Sequence, residues 1–217
     1  RGDAPFPAHE IAATRLAIIG MGKSGARELN YISDVDVIYV AEAGESIDGA
    51  LSDQRAVEIA TKLAMLTARG IMELAIEPGL WEVDANLRPE GKAGALVRTL
   101  DSHLAYYERW ASSWEFQALL KARAMAGDLE LGRRYEAAIA PKVWASASSR
   151  EHFVEGVQKM RQRVTDHIPA DEVDVQLKLG PGGLRDIEFT VQLLQLVHGL
   201  GDESIRQRGT LPALAAL

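Results

Sequence analysis

The chain has 217 residues, 47 % of them hydrophobic and 25 % charged, with a net charge of −7 and no cysteine. That is ordinary globular composition; it excludes a disulfide framework and a thiolate metal site, and argues against a nonspecific nucleic-acid binder, which needs a basic face for phosphates. No apolar run reaches the roughly 18 residues that span a bilayer and no signal peptide is visible, so no membrane partner is expected and the cytoplasm is the expected location. The chain opens on Arg1 and stops inside LPALAAL, as expected of a piece of a longer polypeptide.

Residues 1–15 read as a lead-in turn or short helix, followed by a buried strand at Leu16–Ile19 and a second at Ser33–Val40. AEAGES (41–46) reads as a loop. Val57, Ile59, Ala60, Leu63, Ala64, Leu66, Ile71 and Leu74 recur at helical spacing and predict one long amphipathic helix over 54–75, stopped by Pro78 and Gly79. A third strand is expected at Trp81–Leu87 and a short fourth at Ala95–Arg98. Residues 101–139 read as helical. Pro141 and SASSR (146–150) suggest a boundary, giving domains 1–145 and 146–217. Beyond it the pattern predicts a helix over about 151–166, a PADEVD loop, the short run Val175–Leu179, a glycine turn and a long helix over Leu184–His198.

Gly20, Gly22 and Gly25 match G-x-G-x-x-G after an apolar strand. A dinucleotide fold needs a helix and a whole strand before its ribose-binding acid, roughly 20 residues on, and the segment from Gly25 to Asp34 is too short to hold both. Gly22-Lys23-Ser24 lacks the earlier glycine of a P-loop, because Ala17 stands there. What remains is a small-residue loop whose N–H groups can approach a phosphate, with Lys23 and Arg27 nearby. A tight strand-to-helix turn with solvated cations explains the same residues.

Asp34 and Asp36 stand at i and i+2, so on a strand they share a face. Paired acids can simply protect an edge strand. A third, Asp84 in WEVDANLR, lies on a segment that must join the same small sheet, and three converging carboxylates could hold two magnesium ions for in-line phosphoryl chemistry. Glu82 is a weaker candidate and Glu28 a local one. Arg88, Lys92, Lys121 and Arg123 could stabilise phosphate charge, or be surface residues. His103, His152, His167 and His198 have no metal spacing and read as structural or surface residues.

With these in hand, the chain resembles the nucleotidyltransferase fold and, within it, the family of bifunctional enzymes that adenylylate and deadenylylate glutamine synthetase. The residues that carry this are GKSGARELNYISDVDVIYV (22–40), VDANLRPEGKAGALV (83–97), WEFQALLKARAMAGD (114–128) and KLGPGGLRDIEFTVQLLQLVHG (178–199). The resemblance implies an α+β catalytic domain with a small mixed sheet, followed by part of an all-helical domain. It implies magnesium at Asp34, Asp36 and Asp84, and nucleotide or phosphate contacts from Gly22, Lys23, Gly25, Arg27, Ser33, Arg88 and Lys121. The phrase around Arg185 resembles the N-terminal, adenylyl-removing half. Its implied reaction is phosphorolysis: inorganic phosphate attacks the adenylyl group on a tyrosine of glutamine synthetase, releasing ADP. Adenylyl transfer from ATP is the alternative, and a non-catalytic nucleotide-sensing domain a third. Further implied partners are a PII-type nitrogen-signalling protein and a second catalytic half of the same polypeptide. Arg185, Asp186 and Glu188 could contact the active site or a partner domain, or form a capped helix with a salt bridge. Two departures stand out: Ala26 where the family has a second glycine, and Asn86 where it has an arginine.

Overall fold

A computed structural model describes residues 6–31, 33–44, 51–73, 78–169 and 171–217. Their contacts divide into two compact units, Arg1–Trp110 with Lys121–Ile139, and Ala111–Leu120 with Ala140–Leu217.

The first unit is built on β1 (Thr14–Gly20), β2 (Val35–Ala43), β3 (Val83–Asp84), β4 (Val97–Arg98) and β5 (Arg123–Gly127). Order runs β3-β2-β1-β5, with β4 also on β2. β1 is antiparallel to β2 and β5, whereas β3 and β4 are parallel to β2, so the sheet is small and mixed as expected. β2 is buried on both faces, which explains its unbroken apolar run. Val37, Tyr39 and Ala41 pack with Val97 against Ala60 and Ala64 of helix α3 (Asp53–Met72). Ile38 and Val40 on the other face are fully buried, as are Ala17 and Ile19 of β1.

That second face is closed by α4 (Leu100–Arg109) and the start of α6 (Leu129–Ser149). His103 Nε2 of α4 lies 3.3 Å from the Tyr39 carbonyl. The Tyr107 and Tyr135 hydroxyls pair at 2.9 Å. Gly132 has no room for a side chain, because a Cβ there would meet that of Ala124 at 2.6 Å. Its neighbour Glu136 accepts the Ala124 N–H at 2.6 Å.

The expected lead-in helix is present as α1 (Ala8–Ala12). Several other expectations are corrected. Ala41–Ala43, read as loop, continue β2 because they pair with Leu16, Arg15 and Thr14; 45 and 46 lie outside the described residues, as do 74 and 75 of the predicted long helix. The strand expected at Trp81–Leu87 is only Val83–Asp84, and Ala95–Arg98 shortens to Val97–Arg98. The 101–139 helix is broken into α4, α5 (Ser113–Leu119) and α6, with β5 between the last two. A capping box of Ser112 and Glu115 restarts the chain at α5. β5 forms because β1 has an edge to pair, with a bulge at Ile18/Ile19.

The second unit is helical. α5 packs with α7 (Phe153–Asp166) and α8 (Leu184–His198), Gln117 Nε2 donating to Gln192 Oε1 at 2.8 Å. α9 (Thr210–Ala216) follows against α8. The helices expected at 151–166 and 184–198 lie there; α6 runs through Pro141 to Ser149, and the contacts divide inside it at Ile139/Ala140. The glycine-turn phrase is a capped helix start. Arg161 holds the Asp186 carboxylate and donates to the Leu179 carbonyl at 2.9 Å, Asp186 accepts the Gly182 N–H at 2.6 Å, and Arg185 pairs with Glu188 at 3.1 Å.

Candidate functional site

The glycine loop and the acids meet where β1 hands over to β2. β1 ends with Gly20 opposite Val37, and the Met21 N–H donates to the Asp36 carbonyl at 2.8 Å. The chain then makes only α2 (Gly22–Ala26), which Arg27 ends at φ 62° in the left-handed region. It returns at once into antiparallel β2. Neither a dinucleotide fold nor a P-loop does this, since both open a full helix and a parallel crossover, so the exclusion drawn from spacing holds.

The loop is held from behind by side chains far along the chain. Arg123 of β5 donates to the Gly25 carbonyl through Nε and to the Ser24 carbonyl through Nη2, each at 2.9 Å. A Cβ on Gly25 would stand 2.6 Å from the Gly20 carbonyl oxygen and 2.9 Å from the Lys121 carbonyl carbon. Gly22, at φ 48°, faces the Asp36 carboxylate so closely that a Cβ would lie 3.2 Å from its Cγ and nearer still to an oxygen. Lys23 Nζ donates to Asn30 Oδ1 at 2.8 Å, and Arg27 is exposed. The Ser24 hydroxyl is buried and has no hydrogen-bond partner among the described residues.

The acids come together through strand register. Asp36 of β2 is paired with Asp84 of β3 in the parallel ladder, so both side chains leave the sheet on one face. Asp34 stands just before β2 and is exposed. Asp84 Oδ1 accepts the Asn86 N–H at 2.6 Å, which fixes the carboxylate in an Asx turn. Asn86 thus meets Asp84 through its backbone N–H. For magnesium the donors fit in kind, hard carboxylate oxygens of which Asp36 and Asp84 are register partners beside a glycine loop that leaves the Asp36 carboxylate its room. Among the described residues no three acids or histidines already stand as a metal-holding cluster; closing one would draw in the exposed Asp34.

Two expected phosphate ligands are engaged elsewhere. Arg88 donates to the Ala85 carbonyl at 2.8 Å and to those of Gly94 and Lys92 at 3.2 Å, closing the 85–94 loop. Lys121 is buried at the turn into β5, its Nζ 3.4 Å from Glu28 Oε2. Lys92 is exposed in the same loop as Arg88. Ser33 and Asp34 line a cavity of about 530 Å³ with Tyr31, Met72, Trp81 and Glu82. His103 is a buried structural residue whose pKa burial pushes down to about 4, whereas His152, His167 and His198 are exposed, as expected. Sequence reasoning missed the clamp by Arg123, the buried Ser24 hydroxyl and the turn at Asn86. Only the last had a local signal, an Asp two residues ahead.

Residues 1–138 match the glutamate-ammonia ligase adenylyltransferase family. The chain belongs to that family. Residues 146–217 match the GlnD PII-uridylyltransferase family. Among relatives of the adenylyltransferase-family chain, the bifunctional glutamine synthetase adenylyltransferase/adenylyl-removing enzyme of Leifsonia xyli subsp. xyli is 70 % identical over 216 residues, which is 100 % of this chain and 21 % of the relative. Proteins of the same description are 59 % identical in Streptomyces avermitilis, over 96 % of this chain and 20 % of the relative, and 57 % identical in Cutibacterium acnes, over 100 % and 21 %. The chain thus spans about a fifth of the length of the curated relatives it matches. Among the described residues, no helix is long and apolar enough to cross a membrane.

Proposed function

We propose that the chain is part of the adenylyl-removing half of a cytoplasmic glutamine synthetase-modifying enzyme, which releases the adenylyl group by phosphorolysis. The observation that carries the reading is the pairing of Asp36 with Asp84 beside the Gly22–Gly25 loop, with Asp34 at the same strand end. Family membership supports the adenylyl group and glutamine synthetase as substrates. Direction rests on the Gly180–Glu188 phrase with Arg185, and a PII-type signalling protein and a second catalytic half are the further partners in this reading.

In the reaction an oxygen of inorganic phosphate bonds to the α-phosphorus, the bond to the tyrosyl oxygen breaks, and the phenolate takes a proton as ADP leaves. Magnesium bound at Asp34, Asp36 and Asp84, one ion or two, would supply charge neutralisation at the transferring oxygens. The chain's own residues do the rest. The N–H groups at the start of the Gly22–Gly25 loop, with Lys23 and Arg27, offer positive charge to the phosphates, and Gly25, whose N–H donates to the Met21 carbonyl, keeps the loop tight. Ser33, beside Asp34, offers a hydroxyl. Arg123 and Arg88 keep the loop and the Asp84 segment in place. A phenol with a pKa of about 10 is a good enough leaving group to need no strong general acid.

Adenylyl transfer from ATP uses the same acids, and the relatives' names carry both activities. The chain incubated with adenylylated glutamine synthetase and phosphate should release ADP, and with unmodified enzyme and ATP should transfer nothing. Asp34→Asn combined with Asp36→Asn should lower ADP release at least about a thousandfold with the circular dichroism spectrum unchanged. Retained activity in the double variant would sink the assignment.

A further inference from the structure

We infer that Lys121 is a positioning residue: its ammonium, paired with Glu28, locks the left-handed turn that presents Arg27 at the end of the glycine loop. This deepens the phosphorolysis reading and rests on it for the role of Arg27. Helix α2 closes with two bonds, the Arg27 N–H donating to the Ser24 carbonyl at 3.4 Å and the Glu28 N–H to the Lys23 carbonyl at 2.8 Å. Those bonds make a Schellman turn, whose left-handed position glycine usually fills. Arg27 fills it here at φ 62°, a conformation that costs any residue with a Cβ. A glycine would suit the turn better, so what the arginine adds is its guanidinium. That group makes no hydrogen bond or ion pair among the described residues, whereas the other loop cation, Lys23, is bonded to Asn30.

A strained residue persists only where its neighbours fix it, and the turn into β5 does so on both sides of Arg27. Before it, Arg123 donates to the Ser24 and Gly25 carbonyls, and the Lys121 carbonyl lies where a Cβ on Gly25 would stand. After it, Lys121 Nζ stands 3.4 Å from Glu28 Oε2. The Lys121 side chain is 5 % exposed and that of Glu28 32 %. An ammonium so buried is rare unless paired, and a buried pair is little screened by salt. Arg27 is thus held between two anchored residues, and the second anchor is a charge kept inside the protein.

Arg27→Gly relieves the turn and removes the guanidinium. Its melting temperature should rise by about 3 °C, while the calorimetric affinity for ADP, with magnesium present, falls about tenfold. Lys121→Met should lower ADP affinity by about the same tenfold. Added to Arg27→Gly it should change that affinity by less than about twofold, because the residue it positions is gone. Glu28→Ala cuts the same pair from its more exposed side and carries the comparison if Lys121→Met does not fold, with the same loss alone and none beside Arg27→Gly. Losses that multiply to about a hundredfold would mean that Lys121 meets the phosphates itself or only supports the fold, and would overturn the inference. It is also overturned if Arg27→Gly, or both variants of the pair, bind ADP as the wild type does, or if the wild type does not bind it. Losses that do not multiply, in a chain that releases no ADP from adenylylated glutamine synthetase, would uphold the role of Lys121 and refute only the phosphorolysis.

Discussion

Replacing Gly25 by alanine perturbs the loop at the point where it has least room. The added methyl would sit 2.6 Å from the Gly20 carbonyl oxygen and 2.9 Å from the Lys121 carbonyl carbon, where ordinary contacts begin at 3.4 Å. Both obstacles are main chain, one at the end of β1 and one at the turn into β5, so neither can rotate away. Relief needs a shift of about 1 Å, and overpacking of this kind typically costs about 1–3 kcal/mol. The same shift moves the loop against Asp36, and a misplacement of about 1 Å in an active site lowers turnover on the order of a hundredfold. Urea unfolding followed by tryptophan fluorescence should show a lower midpoint at unchanged slope, and ADP release should fall with it. Ala26→Gly, in the same short helix α2, is the control and should cost under about 1 kcal/mol. A Gly25→Ala protein within about 0.5 kcal/mol of wild type would refute the close-approach argument.

Two further outcomes are expected. His103 has its pKa lowered from 6.5 to about 4, first by burial and then, against the Tyr39 carbonyl bond, by the nearby Arg98 charge. The unfolded chain protonates this ring below about pH 6.5 and the folded chain only near pH 4, so stability is whole above pH 6.5 and falls, by about 3 kcal/mol in all, as the pH drops to 4. His103→Gln should flatten that part of the unfolding free energy against pH, and an unchanged slope would contradict it. Arg123→Met removes two donors from the Ser24 and Gly25 carbonyls; a loss of about 2 kcal/mol in urea unfolding is expected, with weaker ADP binding by calorimetry, and unaltered ADP affinity would mean the clamp does not shape the loop.

What could be read in advance followed from local pattern. β1, β2, α3, α7 and α8 carry their own periodicity, the spacing of Gly25 and Asp34 removed the dinucleotide fold, and Ala17 in place of a glycine removed the P-loop. β5 could not be read, because Lys121, Ala122, Arg123, Ala124 and Met125 are helix formers and the segment is extended only through pairing with β1. The site divides the same way. Asp34, Asp36 and Asp84 announce themselves by type and spacing. The assignment of Arg88 and Lys121 to phosphate was an inference from charge, and the carbonyls and carboxylate they meet belong to backbone turns and to Glu28, which no spacing rule reaches.

One edge of β2 is shared by two short strands in series: β3 at Val35 and Asp36, then β4 at Tyr39 and Val40. The 85–94 loop leaves between them and is tied to itself by Arg88. Each two-residue pairing sets its own register, Asp84 in one and the buried Val97 in the other. The stretch between them is no free spacer: Arg88 bonds the Ala85, Lys92 and Gly94 carbonyls, so a change in its length would loosen the segment that carries Asp84 before it reached the rest of the sheet.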